Sequence, residues 1–310
     1  MELKTKEAWR LRSLCALLLL TACCFRTAAV LWERGSAPPL PEYEHFLLTV
    51  GQPQGEPTDP GQTLQSPLLF LDSSYVDIYN GCDAVFDREA LFREPLSLTL
   101  SRGPCVLIVH THGSEAYRDC EDYRSLDPGK NMVSIGAHIA DRLNAAGIPT
   151  VHDTTLHDVT AGYDLAYEQA AASIEAYLEQ YPSIQIVIDI HRDASAGADG
   201  QKPLLTDLNG EQAAQLMLVM GTGSQELPNL RWEDNLSLAM KLQAYFSSLA
   251  PGIMRQTNLR SSRYNQHLAP YSLLMEVGSA GNTREEAIST ASFIGDHLAQ
   301  FLLAFQVADD

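Results

Sequence analysis

This 310-residue chain has no Cys-x-x-Cys pair, which argues against a zinc site built on thiolates. Three of its six cysteines (Cys15, Cys23 and Cys24) fall in the first 24 residues. The other three, Cys82, Cys105 and Cys120, allow one disulfide at most, so a cysteine-rich scaffold is excluded. Positive charge is scarce: 21 Lys and Arg stand against 39 Asp and Glu, for a net charge of −18. The basic footprint of a nucleic-acid binder is missing. No Gly-x-Ser-x-Gly elbow and no Gly-x-x-x-x-Gly-Lys loop occurs, which leaves serine hydrolysis and phosphate-driven chemistry without support. No internal repeat is visible. With 45% hydrophobic and 19% charged residues, the chain can form a sizeable core, and global disorder is not expected.

The charge is unevenly placed. Residues 1–34 carry a net +3, which leaves −21 on the rest. Lys4, Lys6, Arg10 and Arg12 form a basic segment over 1–12, read as cytoplasmic. The apolar run 13–32 follows and is long enough to span a bilayer, provided that Arg26, a costly cation in such a helix, lies near one interface. An alternative makes 13–22 the apolar part of a signal peptide, with Leu20-Thr21-Ala22-Cys23 as a lipobox. Simple secretion is a third alternative, while the first two place the chain at the cell membrane, with everything after the anchor outside the cytoplasm. Residues 35–67 hold seven of the sixteen prolines and read as an extended linker. Residues 68–100 are mixed, so 33–100 is taken as linker and unassigned chain, and the main domain is drawn from 101 to 310.

From about residue 104, short apolar runs alternate with helical stretches. Strands are expected at 105–110, 148–152, 184–191, 216–220 and 273–277. Helices are expected at 131–145, 164–180, 235–249 and 283–305, the last opened by a capping box of Thr283 and Glu286. This alternation predicts an α/β domain with an open, mostly parallel sheet and helices on both faces.

Ligands in such sheets gather beyond the carboxyl ends of strands. Three strands here end in ionisable residues: His110-Thr111-His112-Gly113-Ser114-Glu115, then His191-Arg192-Asp193, then Glu276. His112, Glu115 and His191 would supply two imidazoles and a carboxylate to one ion and leave a fourth position open, the form of a catalytic zinc site. His110 competes with His112 for the ligand role, or else orients a ligand. Glu276 reads as a general base or as an ion-pair partner. Arg192 and Asp193 could orient His191, bind substrate or form ordinary ion pairs. Arg263 and Asn265, in the polar stretch 260–266, could hold an anionic substrate group.

The segments HTHGSEAY (110–117), IDIHRDA (188–194), RYNQ (263–266) and LMEVGSAGNTREEA (274–287) together resemble the stage II sporulation protein P family. GYDLAY (162–167) and NL-x-LA-x-KLQ (235–243) fit the same pattern, so the likeness covers about 101–305. The family is similar to the zinc N-acetylmuramoyl-L-alanine amidases. The resemblance implies a zinc-amidase-like fold and a Zn2+ hydrolase that removes stem peptides from peptidoglycan and cuts cross-links during engulfment. It further implies a partner of the stage II sporulation protein D type. It assigns the zinc to His112, Glu115 and His191, and catalysis to Glu276. Rival readings are a metallocarboxypeptidase-like wall peptidase and a non-catalytic wall-binding scaffold.

Overall fold

The structure, a computed structural model, describes residues 71–160, 162–197 and 200–305, all within one compact unit. The basic segment 1–12, the apolar run 13–32 and the linker up to residue 70 lie outside the described residues. Among those described, no helix is long and apolar enough to cross a membrane.

Seven strands form the main sheet. They are β1 (Ile78–Asn80), β2 (Val106–Val109), β3 (Thr150–His152), β4 (Ile186–Asp193), β9 (Leu216–Gly221), β10 (Thr257–Arg260) and β11 (Tyr271–Ser279). Two small hairpins, β5 (Ala196–Gly197) with β6 (Gly200–Gln201) and β7 (Leu205–Leu208) with β8 (Glu211–Ala214), stand outside it. The sheet order is β1-β10-β9-β11-β4-β2-β3. Every pairing is parallel except β9 with β11, so the expectation of a mostly parallel sheet holds. Two parallel blocks of opposite direction therefore meet at β9 and β11. The amino-terminal ends of β9, β10 and β1 share an edge with the carboxyl ends of β11, β4 and β2.

The helices are α1 (Arg88–Arg93), α2 (Met132–Ala145), α3 (His157–Thr160), α4 (Ala166–Gln180), α5 (Trp232–Leu249) and α6 (Arg284–Leu303). One sheet face turns Val106, Ile108, Ile188, Ile190, Leu218 and Met275 toward apolar residues of α2, α5 and α6, forming the main core. The other face packs Leu107, Val109 and Val187 against Ile174 of α4. Central strands covered on both sides must be apolar at successive positions, which is why β2 reads VLIV with all four residues buried. The expected capping box of α6 is formed, with Thr283 accepting from Glu286 N and Glu286 Oε2 accepting from Thr283 N.

The sheet also takes in chain from before residue 101, where the domain was expected to begin. β1 pairs with β10, and Val76, Phe92, Leu98 and Leu100 are buried in the main core. The three residues Ile-Tyr-Asn of β1 are too few to show a strand period.

Candidate active site

Three strands deliver the chemistry to one edge. Side chains alternate along β4, so Asp189, His191 and Asp193 share a face. Parallel register sets Glu276 of β11 beside His191 and Val109 of β2 beside Asp189. The turn after β2 is then tied down twice. Thr111 donates to Asp189 through its backbone N (2.9 Å) and its hydroxyl (2.6 Å). Ser114 Oγ donates to Asp158 of α3 at 2.6 Å, and Arg124 joins that carboxylate at 3.2 Å. Such buried, charge-assisted bonds fix the turn that carries His112 and Glu115.

His112, Glu115, His191 and Glu276 line one cleft of about 700 Å³. The rings of His112 and His191 cross nearly at right angles with centroids 5.4 Å apart. Tyr163 stacks on His112 at 4.2 Å, with the Arg124 guanidinium 4.9 Å from the centroid of the Tyr163 ring. Tyr167 meets His112 edge-on. Glu115 is turned toward cations: Arg192 Nη1 is 3.2 Å from Oε1 and His191 Nδ1 is 3.7 Å from Oε2.

The electrostatics follow from this crowding. Burial lowers the His191 pKa, but Asp189 and Glu115 outweigh it and hold the pKa well above 6.5. Burial raises Glu115, and His191 and Arg192 more than reverse it, leaving the carboxylate below its ordinary value. His112 is lowered by burial and by the neighbouring His191. Burial pushes Glu276 up to about 8. The Glu276 residue is partly exposed as a whole, but its Oε2 is buried and has no hydrogen-bond partner.

Among the described residues, no three His, Cys, Asp or Glu side chains stand as a finished ligand set for one metal ion. The predicted trio meets in the cleft, with Glu115 drawn to Arg192 and His191 instead. The donor chemistry nonetheless fits a cation. His112 Nδ1 and His191 Nε2 are buried without a hydrogen-bond partner. Asp189 Oδ1 is 2.9 Å from His191 Nε2, but off the line of a ring N–H, so the contact is electrostatic and leaves the nitrogen unsatisfied. A cleft that keeps a buried imidazole charged has excess negative charge, and a divalent cation can take the proton's place.

The structure separates the remaining candidates. His110 points away from the cleft. Its Nδ1–H donates to Ile190 O (3.2 Å), so its Nε2 accepts from His152 Nε2 at 2.8 Å. Burial, with His152 beside it, pushes the His110 pKa to about 3 and keeps the ring neutral. Asp193 lines the cleft and pairs with Arg255 at 2.6 Å. Arg192 also lines it, but its donors go to Glu115, Ala116 O and Tyr123 O. Arg263 and Asn265 do not line the cleft, and Asn265 instead donates to Tyr167 O at 2.8 Å. Sequence reasoning missed Asp189, Tyr163, Tyr167 and Arg124. The period of two along β4 could have found Asp189, since it shares a face with His191.

The family model described as Stage II sporulation protein P (SpoIIP) matches residues 75–299. Stage II sporulation protein P of Bacillus subtilis (strain 168) is 25% identical over 219 residues, which is 66% of this chain and 52% of that protein. The chain thus spans about half the length of the curated relative it matches. Similar solved structures include N-acetylmuramoyl-L-alanine amidase AmiC2 of Nostoc punctiforme, 15% identical, covering 66% of this chain and 99% of that one, with a TM-score of 0.40. The CwlD amidase from Clostridioides difficile, solved in complex with the GerS lipoprotein, is 14% identical over 64% of this chain and 99% of that one, with a TM-score of 0.37.

Proposed function

This chain belongs to the stage II sporulation protein P family, and we propose that it is a zinc-dependent peptidoglycan hydrolase of sporulation that cuts the amide between the glycan lactyl group and L-Ala of the stem peptide. The observation that carries this reading is the set of three buried polar atoms without partners in one cleft: His112 Nδ1, His191 Nε2 and Glu276 Oε2. His112, Glu115 and His191 would hold the metal. When bound, zinc polarises the scissile carbonyl and acidifies the attacking water.

The chain's own groups do the rest. Burial alone keeps Glu276 protonated at neutral pH. Beside a bound zinc ion its ionised form is favoured, and that form receives the water's proton at Oε2 and returns it to the leaving amine. Asp189 holds the His112 turn through Thr111 and borders His191, so it sets the orientation of both imidazoles. Tyr163 and Tyr167 pack on His112 and shield that side of the cleft from water. In this proposal residues 13–32 anchor the protein at the membrane, and a hydrolase of the stage II sporulation protein D type acts on the same wall.

The test is mass spectrometry of purified peptidoglycan digested by the chain. The reading predicts free stem peptides with an L-Ala amino terminus, and their loss under a zinc chelator. Products that keep the lactyl–Ala bond and lack only terminal residues would point to a carboxypeptidase instead.

A further inference from the structure

The catalytic cleft has a neighbour on the same edge of the sheet. Register partners on adjacent strands turn their side chains to the same face. Met217 of β9 is paired directly with Glu276. One step along the strands, a row runs from Asp189 through Leu274, Val219 and Asn258 to Tyr79 on the outermost strand. At the outer end of this row Tyr79 is 53% exposed. A second cavity of about 430 Å³ opens there, lined by Asp77, Tyr79, Met217, Arg255, Gln256 and Asn258 among others. The wall between the two cavities is the Asp193–Arg255 ion pair, with Asp193 lining the catalytic cleft and Arg255 the second cavity.

Its chemistry is that of a carbohydrate site. Tyr79 offers an aromatic surface, backed by the Arg260 guanidinium 5.7 Å from the ring centroid. Gln256 Nε2 donates to Asp77 Oδ1 at 3.0 Å, which fixes both at the rim. Asn258 Oδ1 is buried and has no hydrogen-bond partner, so an acceptor is held ready for a ligand donor. Arg255 is already paired with Asp193 at 2.6 Å and Asp77 faces only the neutral Gln256 amide, so the cavity has no free cation for an anion and suits a neutral ligand rich in hydroxyl and amide groups. The opposite end of the cleft carries Arg124, whose side chain is 43% exposed and better matched to a carboxylate-bearing peptide.

We propose that the cavity around Tyr79, Gln256 and Asn258 binds the glycan strand of the substrate, while the stem peptide lies toward Arg124. The assignment rests on the peptidoglycan-hydrolase reading, but its test does not require turnover. The full chain is titrated with glycan strands stripped of stem peptides and amidated at the freed lactyl carboxylates, so that the probe is neutral, and binding is followed by calorimetry. Tyr79→Ala is expected to weaken binding about tenfold, the scale of removing one aromatic anchor. On intact strands it should raise KM and leave kcat unchanged. Gln256→Ala, at the same rim, provides an independent variant should Tyr79→Ala fold poorly. Wild-type affinity in both variants, or no binding of stripped glycan to the wild type, would overturn the proposal. Were the wild type to bind stripped glycan through Tyr79 yet hydrolyse nothing, the subsite would stand and the hydrolase reading would fall.

Discussion

At the residue scale, the two cleft glutamates have different surroundings and so different expected roles. Glu115 lies against Arg192 and His191, where it can serve a metal. Glu276 has a buried, unpartnered oxygen beside His191. Glu276→Gln keeps the shape, so zinc content and melting temperature should hold while turnover falls about 100-fold or more, the scale of losing a general acid–base group. Glu115→Gln should lose zinc along with activity. Metal analysis beside a turnover assay separates the two, and zinc loss in Glu276→Gln alone would exchange the roles. Lys241 makes a separate point. It is buried in α5, donates to Ser237 Oγ at 2.8 Å, and burial pushes its pKa from 10.5 to about 8. The unfolded chain therefore holds that proton more tightly than the folded one. The charged lysine is a cost in full below the folded value, and stability rises as pH climbs from about 8 to about 10.5. Melting curves should show Lys241→Met more stable than wild type at neutral pH, with the gap closing across that window.

At the scale of elements, the tightest fit near the site is between α2 and the two imidazoles behind it. A Cβ on Gly136 would lie 2.5 Å from His110 Nε2 and 2.8 Å from His152 Nε2. The two rings are hydrogen-bonded to each other and His110 is also held by Ile190 O, so moving either ring aside breaks a buried hydrogen bond. Gly136→Ala should cost about 1–3 kcal/mol, as overpacking does, and be read as a lower denaturant midpoint at unchanged slope. The same neighbourhood shows what the sequence could disclose. β4, β11, α4 and α6 are long and periodic, and all four were readable within a few residues. β10, Thr-Asn-Leu-Arg, is short and has one apolar residue in four, so it shows no strand pattern, although Thr257 and Leu259 are both buried. His110 and His112 have the same spacing whether or not the strand continues. The chain leaves β2 at Val109, and only the fold shows that His110 turns to α2 while His112 turns to the cleft.

At the scale of the molecule, the antiparallel junction of β9 and β11 brings two parallel blocks to one functional edge, a consequence of topology that local patterning does not encode. The block of β11, β4 and β2 supplies the reactive groups, all ionisable residues at strand ends and therefore visible in the sequence. The block of β9, β10 and β1 supplies the neighbouring cavity, whose residues are ordinary in type and scattered from Asp77 to Asn258. The central claim is that the edge they share holds a catalytic zinc on His112, Glu115 and His191. Metal stoichiometry of the purified chain tests it most directly. The account predicts about one zinc per chain, lost in His112→Ala and in His191→Ala, as expected when a site depends on each ligand. Stoichiometric zinc retained in both variants would contradict it.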